Sequence, residues 1–497
     1  MAKRRSRSSS RRTRRLPRWA WAFLGVPVLI AGGLIFAAQT KATPVKNVIL
    51  MIADGSGANT IQATGMYTGQ LGKEIFNGAN WTKSWASTYP LRPDGAPRSE
   101  PIEKQQDAEA IYDSARYWDT TPVTTDKFGF ADRFRGYRWH KDNAPDSADS
   151  LTAVVTGHKT YDGAINVDGN GKKLPTFAEH QAAAGKSVGV VTTVAMSDAT
   201  PAVAGGAHNV ARDNRAAIAG EMFSAGVLSV IMGAGNPDYD DDGKLRLAPD
   251  YGWIGEEDWR QIKEGTHPGR FTFIQTKESF EALAAIPSPP ARLVGIAQSF
   301  NATQSERAGA TPANEEPYSV PRRTDVPSLV TMLKGALNIL DGNPNGMFLM
   351  IEGGAIDRAM HATNIGRTIE ERIEFDEAVA AVSAYLDANT SGNNWTNTLV
   401  IVTADHDHLL FGPDSDTVPF QDLVDKGAKK VPGYRWQSEG HSNMLVPLFA
   451  RGPRADMFVS CATRRDSYTD AKGRTFGRGL YIDQTQIFAI LDKASCS

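Results

Sequence analysis

Cysteine is scarce in this sequence. Only two cysteines, Cys461 and Cys496, occur among 497 residues. Two thiols cannot supply the four ligands of a structural zinc site, so a cysteine-based metal framework is excluded. In an oxidising compartment the two would form one disulfide that ties down the C-terminus. The alternative is a pair of buried free thiols, and the sequence leaves both readings open.

An overall charge of one sign is also lacking, because the formal net charge is only −2. This balance hides an asymmetry, since residues 1–18 carry nine lysines and arginines and no acidic residue. The remainder of the chain is therefore acidic, which argues against nucleic acid as its main partner. A hydrophobic content of 41% and a charged content of 22% exclude a disordered, fibrous or multi-span membrane protein.

The basic N-terminus is followed by a single apolar stretch, residues 19–38. A positive region followed by an apolar region and small residues is typical of an export signal. The stretch is also close to the ~20 residues that span a bilayer, so an uncleaved membrane anchor is the alternative. The arginine pairs at 11–12 and 14–15 fit either a twin-arginine signal or a general basic leader. With either reading, the main domain, residues 43–497, is expected in the periplasm, at the cell surface or outside the cell, and residues 1–42 are its signal or anchor.

Short apolar runs alternate with helical patterns through the rest of the chain. The runs do not alternate with polar residues, as expected for strands buried on both faces of a mainly parallel sheet. Alternation of strands and helices indicates a layered α/β fold. The predicted strands are 48–53, 187–193, 227–232, 293–297, 347–351, 399–403 and 445–450. The predicted helices include 150–156, 328–340 and 368–386.

Two segments interrupt this pattern, and we interpret them as insertions at the edge or rim of the sheet. Residues about 75–140 are rich in Trp, Tyr and Phe without a clear period. Residues about 236–325 mix glycine, proline and acidic turns with one predicted strand. Neither segment has the pattern of a separate domain.

One acidic stretch in the second insertion has the spacing of a calcium loop. Asp238, Asp240 and Asp242 alternate and are followed by glycine. An EF-hand requires Glu at the twelfth position, where this sequence has Pro249. The preferred reading is an acidic surface turn, and a calcium site is the alternative.

Carboxylates directly follow three of the predicted strands. Asp54, Glu352 and Asp405 stand at these positions, and His406 comes after Asp405. In an open α/β sheet, ligands bind beyond the carboxyl ends of the strands. We therefore expect the four side chains to meet in one crevice. Oxygen ligands suit magnesium, whereas mixed aspartate and histidine sets suit zinc.

A second set of metal-binding side chains is indicated near the same crevice. Asp357 and His361 are four residues apart, so on a helix they share one face. His441 precedes another predicted strand and can supply a third ligand. A single aspartate after a strand is usually a helix cap and a single histidine is usually structural. The joint pattern argues against that reading, because three of the nine histidines stand beside carboxylates at strand ends.

Ser147 is the candidate nucleophile. It follows Asp146 and precedes an apolar-patterned helical run, so it is expected at a helix N-terminus. There the backbone N–H groups and the helix dipole favour an anionic ligand or an alkoxide. Simple N-capping by Asp146 and Ser147 is the alternative.

Several blocks of sequence, in one consistent order from residue 45 to residue 491, resemble the alkaline phosphatase family. The blocks are Asp54-Gly55-Ser56-Gly57, Asp146-Ser147-Ala148, Thr156-Gly157-His158-Lys159-Thr160, Asp198-Ala199-Thr200-Pro201, Glu352-Gly353-Gly354 through His361, Thr403-Ala404-Asp405-His406 and Gly440-His441-Ser442. The resemblance implies a large, mainly parallel central sheet with helices on both faces. It also implies hydrolysis of phosphate monoesters through a phosphoserine, with two zinc ions and one magnesium ion.

The resemblance assigns a role to each matching residue. Ser147 matches the nucleophile, and Arg212 matches the arginine that binds phosphate oxygens in a fork. The ligands implied for the first zinc are Asp357, His361 and His441. Those implied for the second zinc are Asp54, Asp405 and His406. Those implied for magnesium are Asp54, Thr200, Glu352 and, through water, Asp198.

Some residues depart from the family pattern or lie just outside it. Asp149 stands where a small residue is commoner and either tunes the phosphate site or is a solvated acid in the first helical turn. Arg358 lies at a variable position within the zinc motif and is expected to shift rate and pH dependence. His408 is expected to orient a ligand rather than to bind metal.

The sequence therefore predicts an exported alkaline phosphatase that acts on small phosphate monoesters. A phosphodiesterase or sulfatase of the same superfamily is the nearest alternative, and an inactive metal-binding surface protein is the alternative of another class. Resemblance alone implies a homodimer. Contact with a membrane is expected only through the N-terminal segment.

Overall fold

The structure, a computed structural model, describes residues 45–309 and 316–497. The predicted export signal or anchor, residues 1–42, lies outside the described residues. Within the described ranges, no helix combines the length and the apolar character needed to cross a membrane.

The described chain alternates strands and helices, as the sequence predicts. The strands are β1 Asn47–Ile52, β2 Thr82–Ser87, β3 Asp126–Lys127, β4 Phe130–Ala131, β5 Ser187–Ala195, β6 Val230–Ala234, β7 Thr272–Ile274, β8 Leu293–Ile296, β9 Met347–Glu352, β10 Thr398–Thr403, β11 Asp407–Phe411, β12 Arg435–Ser442, β13 Val446–Arg451, β14 Arg464–Thr469 and β15 Thr475–Asp483. The helices are α1 Ala58–Thr68, α2 Ser114–Tyr117, α3 Arg135–Asp142, α4 Ser147–Thr156, α5 Phe177–Ala183, α6 Ala199–Ala204, α7 Arg215–Ser224, α8 Glu256–Glu264, α9 Lys277–Leu283, α10 Leu329–Leu340, α11 Ala355–His361, α12 Ile365–Ala388, α13 Met457–Ser460 and α14 Thr485–Phe488.

Eleven of the described strands form one sheet in the order β14-β15-β2-β13-β10-β1-β9-β5-β6-β8-β7. From β10 to β7 all neighbours are parallel. β13 then pairs antiparallel with β10 and with β2. The predicted mainly parallel α/β sheet is confirmed, with a mixed edge beyond β10.

Both faces of the sheet are buried. In β1, Val48, Leu50 and Ile52 pack into one hydrophobic cluster, whereas Ile49 and Met51 pack into another on the opposite face. Successive side chains of a strand point to opposite faces, so an uninterrupted apolar run needs helices on both sides. The run of apolar residues in β1 is explained by this two-sided burial.

The first predicted insertion is partly wrong. Residues 82–87 form β2, which is an interior strand of the sheet between β13 and β15. Its sequence mixes polar residues with Trp85 and Ala86, so it lacks the apolar run that marks the central strands. The rest of the segment builds a separate aromatic cluster around Tyr117, Tyr137 and Phe420.

The second predicted insertion contributes two strands, β7 and β8, at the other edge of the sheet, where the sequence predicts one. Its acidic loop is a turn within the fold. Asp238 accepts hydrogen bonds from Trp259 and Lys263, and Asp242 pairs with Lys244. Protein donors therefore use these carboxylates, and among the described residues the three alternating aspartates do not form a candidate metal group. The acidic-turn reading fits the structure and the calcium alternative does not.

Cys461 and Cys496 form a disulfide whose Cα atoms are 5.3 Å apart. It joins the end of α13 to the C-terminal residues, so the first of the two readings is confirmed.

Candidate active site

Three neighbouring strands deliver acidic side chains to one edge of the sheet. β10, β1 and β9 are adjacent and parallel, with Ile52 aligned with both Thr403 and Glu352. Their carboxyl ends therefore open into the same crevice. Asp54 and Asp405 lie just beyond the ends of β1 and β10, while Glu352 is the last residue of β9.

Asp54, Asp405 and His406 form what we call the carboxylate group, with Glu352 beside it. The three side chains are buried and offer ligand atoms within 4.8 Å of one another. His406 Nε2 is 3.3 Å from Asp54 Oδ1 and 3.4 Å from Asp405 Oδ2. Thr200 Oγ1 lies 3.5 Å from the other oxygen of Asp54.

Several carboxylate oxygens in and beside this group are buried without a hydrogen-bond donor. Asp54 Oδ1, Asp405 Oδ2 and Glu352 Oε1 have no hydrogen-bond partner among the described residues. A buried carboxylate oxygen left in this way is costly unless a cation is present. The donor set of three carboxylates, one imidazole and one hydroxyl fits divalent cations.

Burial also sets the charge of these side chains. Burial, with the charges of Asp405 and Asp357, raises the pKa of Asp54 well above its usual value. Burial raises the pKa of Glu352 to about 8. Burial lowers the pKa of His406 to about 4, so its imidazole is neutral at neutral pH and has a lone pair to offer. A bound cation would favour the ionised carboxylates.

Asp357, His361, His408 and His441 form a second set, the imidazole group. Their ligand atoms also lie within 4.8 Å of one another. Asp357 and His361 share one face of α11, and Asp357 Oδ2 is 3.3 Å from His361 Nε2. His441, on β12, places its Nε2 2.9 Å from His361 Nε2 and 3.4 Å from Asp357 Oδ1.

The outer nitrogens of two histidines fix how their rings face the site. His361 Nδ1 lies 2.7 Å from the Glu439 carbonyl oxygen, and His441 Nδ1 lies 2.9 Å from the Pro145 carbonyl oxygen. With each Nδ1–H donating to its carbonyl, both Nε2 atoms turn lone pairs toward the same point. This is how protein histidines are oriented on a metal ion.

Ser147 lies between the two groups. It is the first residue of α4, and Asp146 caps the helix by accepting a hydrogen bond from the Asp149 N–H. Ser147 Oγ is 3.2 Å from His406 Nε2. The hydroxyl thus faces the carboxylate group and lies at the positive end of a ten-residue helix.

Arg212 lines the same cavity as Ser147. Its Nη1 donates to Asp146 Oδ2 at 2.9 Å and its Nη2 to Asp198 Oδ1 at 3.0 Å. Although burial acts in the opposite direction, Arg212 lowers the pKa of Asp146 to about 2. A cavity of about 220 Å³ is lined by Ser147, by Asp54 of the carboxylate group, by three members of the imidazole group and by three arginines. The members of the imidazole group are Asp357, His361 and His441, and the arginines are Arg212, Arg215 and Arg358.

A sequence model of the alkaline phosphatase family matches residues 112–422. The chain belongs to the alkaline phosphatase family. Alkaline phosphatase H of Pseudomonas aeruginosa is 29% identical over 68% of this chain and 75% of its own length. The alkaline phosphatase of Escherichia coli K12 is 29% identical over 67% of this chain and 74% of its own length. Membership of this family makes the protein a phosphomonoester hydrolase.

Solved structures of alkaline phosphatases share the fold. The enzyme of the Antarctic bacterium TAB5 has a TM-score of 0.55 at 21% identity and covers 90% of this chain and 98% of its own. The Thermus thermophilus enzyme has a TM-score of 0.56 at 18% identity, covering 94% and 95%. The structure of a TAB5 variant, with a TM-score of 0.54 at 19% identity and covering 91% of this chain and 98% of its own, is described with magnesium bound in its M3 site.

Most residues expected from the resemblance to alkaline phosphatases meet in this crevice, and Asp198 is held there by two arginines. It caps α6 and gives one carboxylate oxygen to Arg212 and the other to Arg358. Although burial acts in the opposite direction, Arg358 and Arg212 lower the pKa of Asp198 to about 2. Both carboxylate oxygens of Asp198 are therefore held by guanidinium groups, and its contribution to a magnesium site through water stays a prediction.

His408 makes the contact expected of an orienting residue. Its Nε2 lies 2.7 Å from Asp357 Oδ1, and its ring is fully buried. Burial lowers the pKa of His408 to about 3, so the ring is neutral. It also belongs to the imidazole group by distance, which makes it an additional residue of that group beyond the three ligands expected from the sequence.

Asp149 is not the solvated acid that was one of its two readings. It is 1% exposed and accepts a hydrogen bond from the Asp146 N–H, completing a reciprocal cap with Asp146. Burial and the charge of Asp146 raise the pKa of Asp149 well above its usual value. A carboxylate oxygen of Asp162 lies within 4.8 Å of one from Asp146 and one from Asp149. No pattern in the sequence marks Asp162 as part of the site.

Proposed function

We propose that this chain hydrolyses phosphate monoesters by passing the phosphoryl group first to Ser147 and then to water. The observation that carries the proposal is the position of Ser147. Its hydroxyl lies 3.2 Å from His406 Nε2, at a helix N-terminus, between two groups of metal-binding side chains and below Arg212. Phosphoryl transfer requires a nucleophile, a cationic group that binds the phosphate oxygens, and carboxylates that can hold metal ions. Ser147, Arg212 and the buried carboxylates supply these parts.

In the first step, Ser147 Oγ forms a bond to phosphorus as the bond from phosphorus to the leaving oxygen breaks. Ser147 Oγ loses its proton as it attacks, and the leaving alkoxide takes up one proton and departs as the alcohol. In the second step a water oxygen attacks the same phosphorus, the bond to Ser147 Oγ breaks, and inorganic phosphate is released. Arg212 holds two non-bridging oxygens through both steps, because its planar fork matches their spacing.

The chain's own residues also define where cations would bind. Asp357, His361 and His441 would hold one zinc ion, and Asp54, Asp405 and His406 a second. Asp54, Glu352 and Thr200 would hold magnesium, which the magnesium in the M3 site of the TAB5 variant supports. When bound, these ions supply positive charge that stabilises the attacking and leaving oxygens.

The reaction class is tested by comparing three substrates. Purified protein is assayed with 4-nitrophenyl phosphate, bis(4-nitrophenyl) phosphate and 4-nitrophenyl sulfate. The proposal predicts the highest kcat/KM for the monoester, because Arg212 binds two free oxygens of a terminal phosphate. Preference for the diester or the sulfate would replace it with one of the related activities.

The covalent step is tested by trapping phosphate on the protein at low pH and locating it by mass spectrometry. Label is expected on Ser147 in the wild type and absent in Ser147→Ala. Ser224→Ala, at the exposed end of α7, is the matched control and should be labelled normally. A wild type that carries no label and has no activity would favour an inert metal-binding protein.

Export and self-association also belong to the proposal. Export is supported by the basic and apolar pattern of residues 1–42, and a homodimer only by the family resemblance. Cell fractionation tests the first, and light scattering of the purified protein tests the second. A cytoplasmic location or a monomer at micromolar concentration would refute the respective part.

A further inference from the structure

Three arginines line the cavity above Ser147, and they are not paired alike. Arg212 and Arg358 both donate to the buried carboxylate of Asp198. Arg215 also lines the cavity, but its Nη2 pairs with Asp213 Oδ1 at 3.3 Å. The side chain of Asp213 is 84% exposed. A pair in such contact with solvent compensates charge only weakly. Arg215 therefore brings to the rim of the cavity a positive charge that buried acids do not neutralise.

Arg215 is held in place by a tryptophan from the second insertion. The centre of its guanidinium lies 4.2 Å from the Trp253 ring centroid, and that of Arg358 lies 5.8 Å from the same ring. Stacking on an indole face restrains a guanidinium while leaving its N–H groups free to donate. The two arginines thus share one aromatic support beside the cavity.

Trp253 is itself rigidly fixed. It is 1% exposed, its Nε1 donates to Asn301 Oδ1 at 3.2 Å, and its carbonyl oxygen accepts from Ser197 Oγ at 2.8 Å. Asn301 is fixed in turn by Asp241, which accepts from the Asn301 N–H at 2.6 Å and from its Nδ2 at 2.8 Å. The acidic loop of the second insertion therefore anchors the support of Arg215.

The backbone around Arg215 favours an anion as well. Arg215 is the first residue of α7, a helix of ten residues. The first turn contains no acidic residue, and no side chain caps the helix. The positive end of the helix dipole thus adds to the charge of Arg215.

We propose that Arg215, stacked on Trp253, binds a second anionic group of the substrate. Substrates that carry another phosphate or a carboxylate near the scissile terminal phosphate, such as nucleoside diphosphates with their phosphoanhydride bond, would then be preferred over phosphate esters of neutral alcohols. This inference rests on the proposed function and adds a substrate class to it. Arg212 is already assigned to the scissile phosphate, and the charge of Arg358 is compensated by the buried carboxylate of Asp198.

The test compares adenosine 5′-diphosphate with 4-nitrophenyl phosphate. In Arg215→Gln the ratio of kcat/KM for the diphosphate to that for the neutral ester should fall about tenfold, as expected for loss of one charged hydrogen bond. Arg215→Lys keeps the charge but loses the planar stack, so it should retain part of the preference. Arg260→Gln is the matched control, since Arg260 is exposed on α8 and pairs with Glu257 and Glu264. It should leave the ratio unchanged.

A binding measurement separates this inference from the proposed function. The inhibition constant of 3-phosphonopropanoate is compared with that of propylphosphonate, which lacks the carboxylate. The wild type should bind the former several-fold more tightly, with the difference disappearing in Arg215→Gln and shrinking at high salt. If the protein hydrolyses no ester, calorimetry can measure the dissociation constants of the two phosphonates instead. Tighter binding of 3-phosphonopropanoate by an inactive protein would contradict the proposed function but leave this inference standing.

Two results would overturn the inference while hydrolysis of monoesters stood. One is a wild type that shows no preference for the second anion in either assay. The other is an Arg215→Gln variant that loses the same factor on both substrates, because this would assign Arg215 to general phosphate binding or to folding.

Discussion

The carboxylate group and the imidazole group lie on either side of Ser147, yet they are built differently. The carboxylate group lies at strand ends and is buried, with the side chain of His406 at 0% exposure. The imidazole group is carried by α11 and by the paired strands β11 and β12, and the side chain of His361 is 44% exposed. Strand ends provide rigid, water-free positions for acids, whereas a helix face and a strand pair provide histidines at the rim.

The difference also concerns charge. At the strand ends, burial and repulsion by neighbouring acids raise the pKa values of Asp54 and Glu352. In the imidazole group the histidines and Asp357 attract one another. Although burial acts in the opposite direction, His361 and His441 lower the pKa of Asp357 well below its usual value. The first group therefore depends on a cation for its own stability more than the second does.

The largest effect should come from removing an inward-facing ligand of the imidazole group. His441→Ala is expected to lower kcat/KM for 4-nitrophenyl phosphate about a thousandfold, which corresponds to about 4 kcal/mol of transition-state stabilisation. His180→Ala, a histidine on α5 that pairs with Asp492 on the surface, is the control. Activity within tenfold of wild type in His441→Ala would remove His441 from the metal site.

A smaller loss is expected when the orienting histidine of the same group is changed. His408→Ala should lose about 10–100-fold in activity, because His408 positions Asp357. Excess zinc should restore much of this activity, whereas it should not rescue His441→Ala. If the two variants lost the same activity and zinc rescued neither, His408 would be assigned as a direct metal ligand, like His441.

The carboxylate group should make the metal-free protein sensitive to pH. The pKa of Glu352 is raised from 4.5 to about 8, so between these values the folded state holds a proton that the unfolded state has lost. Stability of the metal-free protein should therefore fall as the pH rises from about 5 to 8. Glu352→Gln should flatten this fall by up to about 4 kcal/mol, since the range covers about three pH units and each unit corresponds to about 1.4 kcal/mol.

The measurement is chemical denaturation of the chelated protein across that pH range. Magnesium added at pH 8 should restore stability to the wild type and have less effect on Glu352→Gln. A wild type that becomes more stable as the pH rises through this range would contradict the sign of the prediction.

The smallest effect concerns the rate of metal release. A chelator should remove an ion from the imidazole group, in which His361 is 44% exposed, faster than from the buried carboxylate group. Time-resolved metal analysis should then show two phases. The fast phase should be missing in His441→Ala. A single phase in the wild type would show that the difference in exposure does not control release.

The central strands could be predicted from the sequence because a strand that is buried on both faces of a sheet consists of an unbroken run of apolar residues. The runs predicted at 48–53, 347–351 and 399–403 correspond to β1, β9 and β10 within one residue at each end. β2 was missed because it lies near the mixed edge of the sheet, where partial exposure permits polar residues such as Lys83. Strand pairing there is decided by neighbours that are distant in sequence.

The site could be predicted in part for the same reason. Acids at the ends of adjacent parallel strands must meet, and a spacing of four residues on α11 must place Asp357 and His361 together. Nothing in the sequence indicated that Asp198 would be held by two arginines. That pairing depends on α6, α11 and the loop before α7 approaching one another.

The sequence by itself determined the family, the α/β class and the residue types of the site, because periodicity and motif order are local properties of the chain. Only the tertiary structure decided which charges compensate one another, that β2 enters the sheet, and that Trp253 supports Arg215. These depend on contacts between segments far apart in the chain, and such contacts form only when the core brings the segments together.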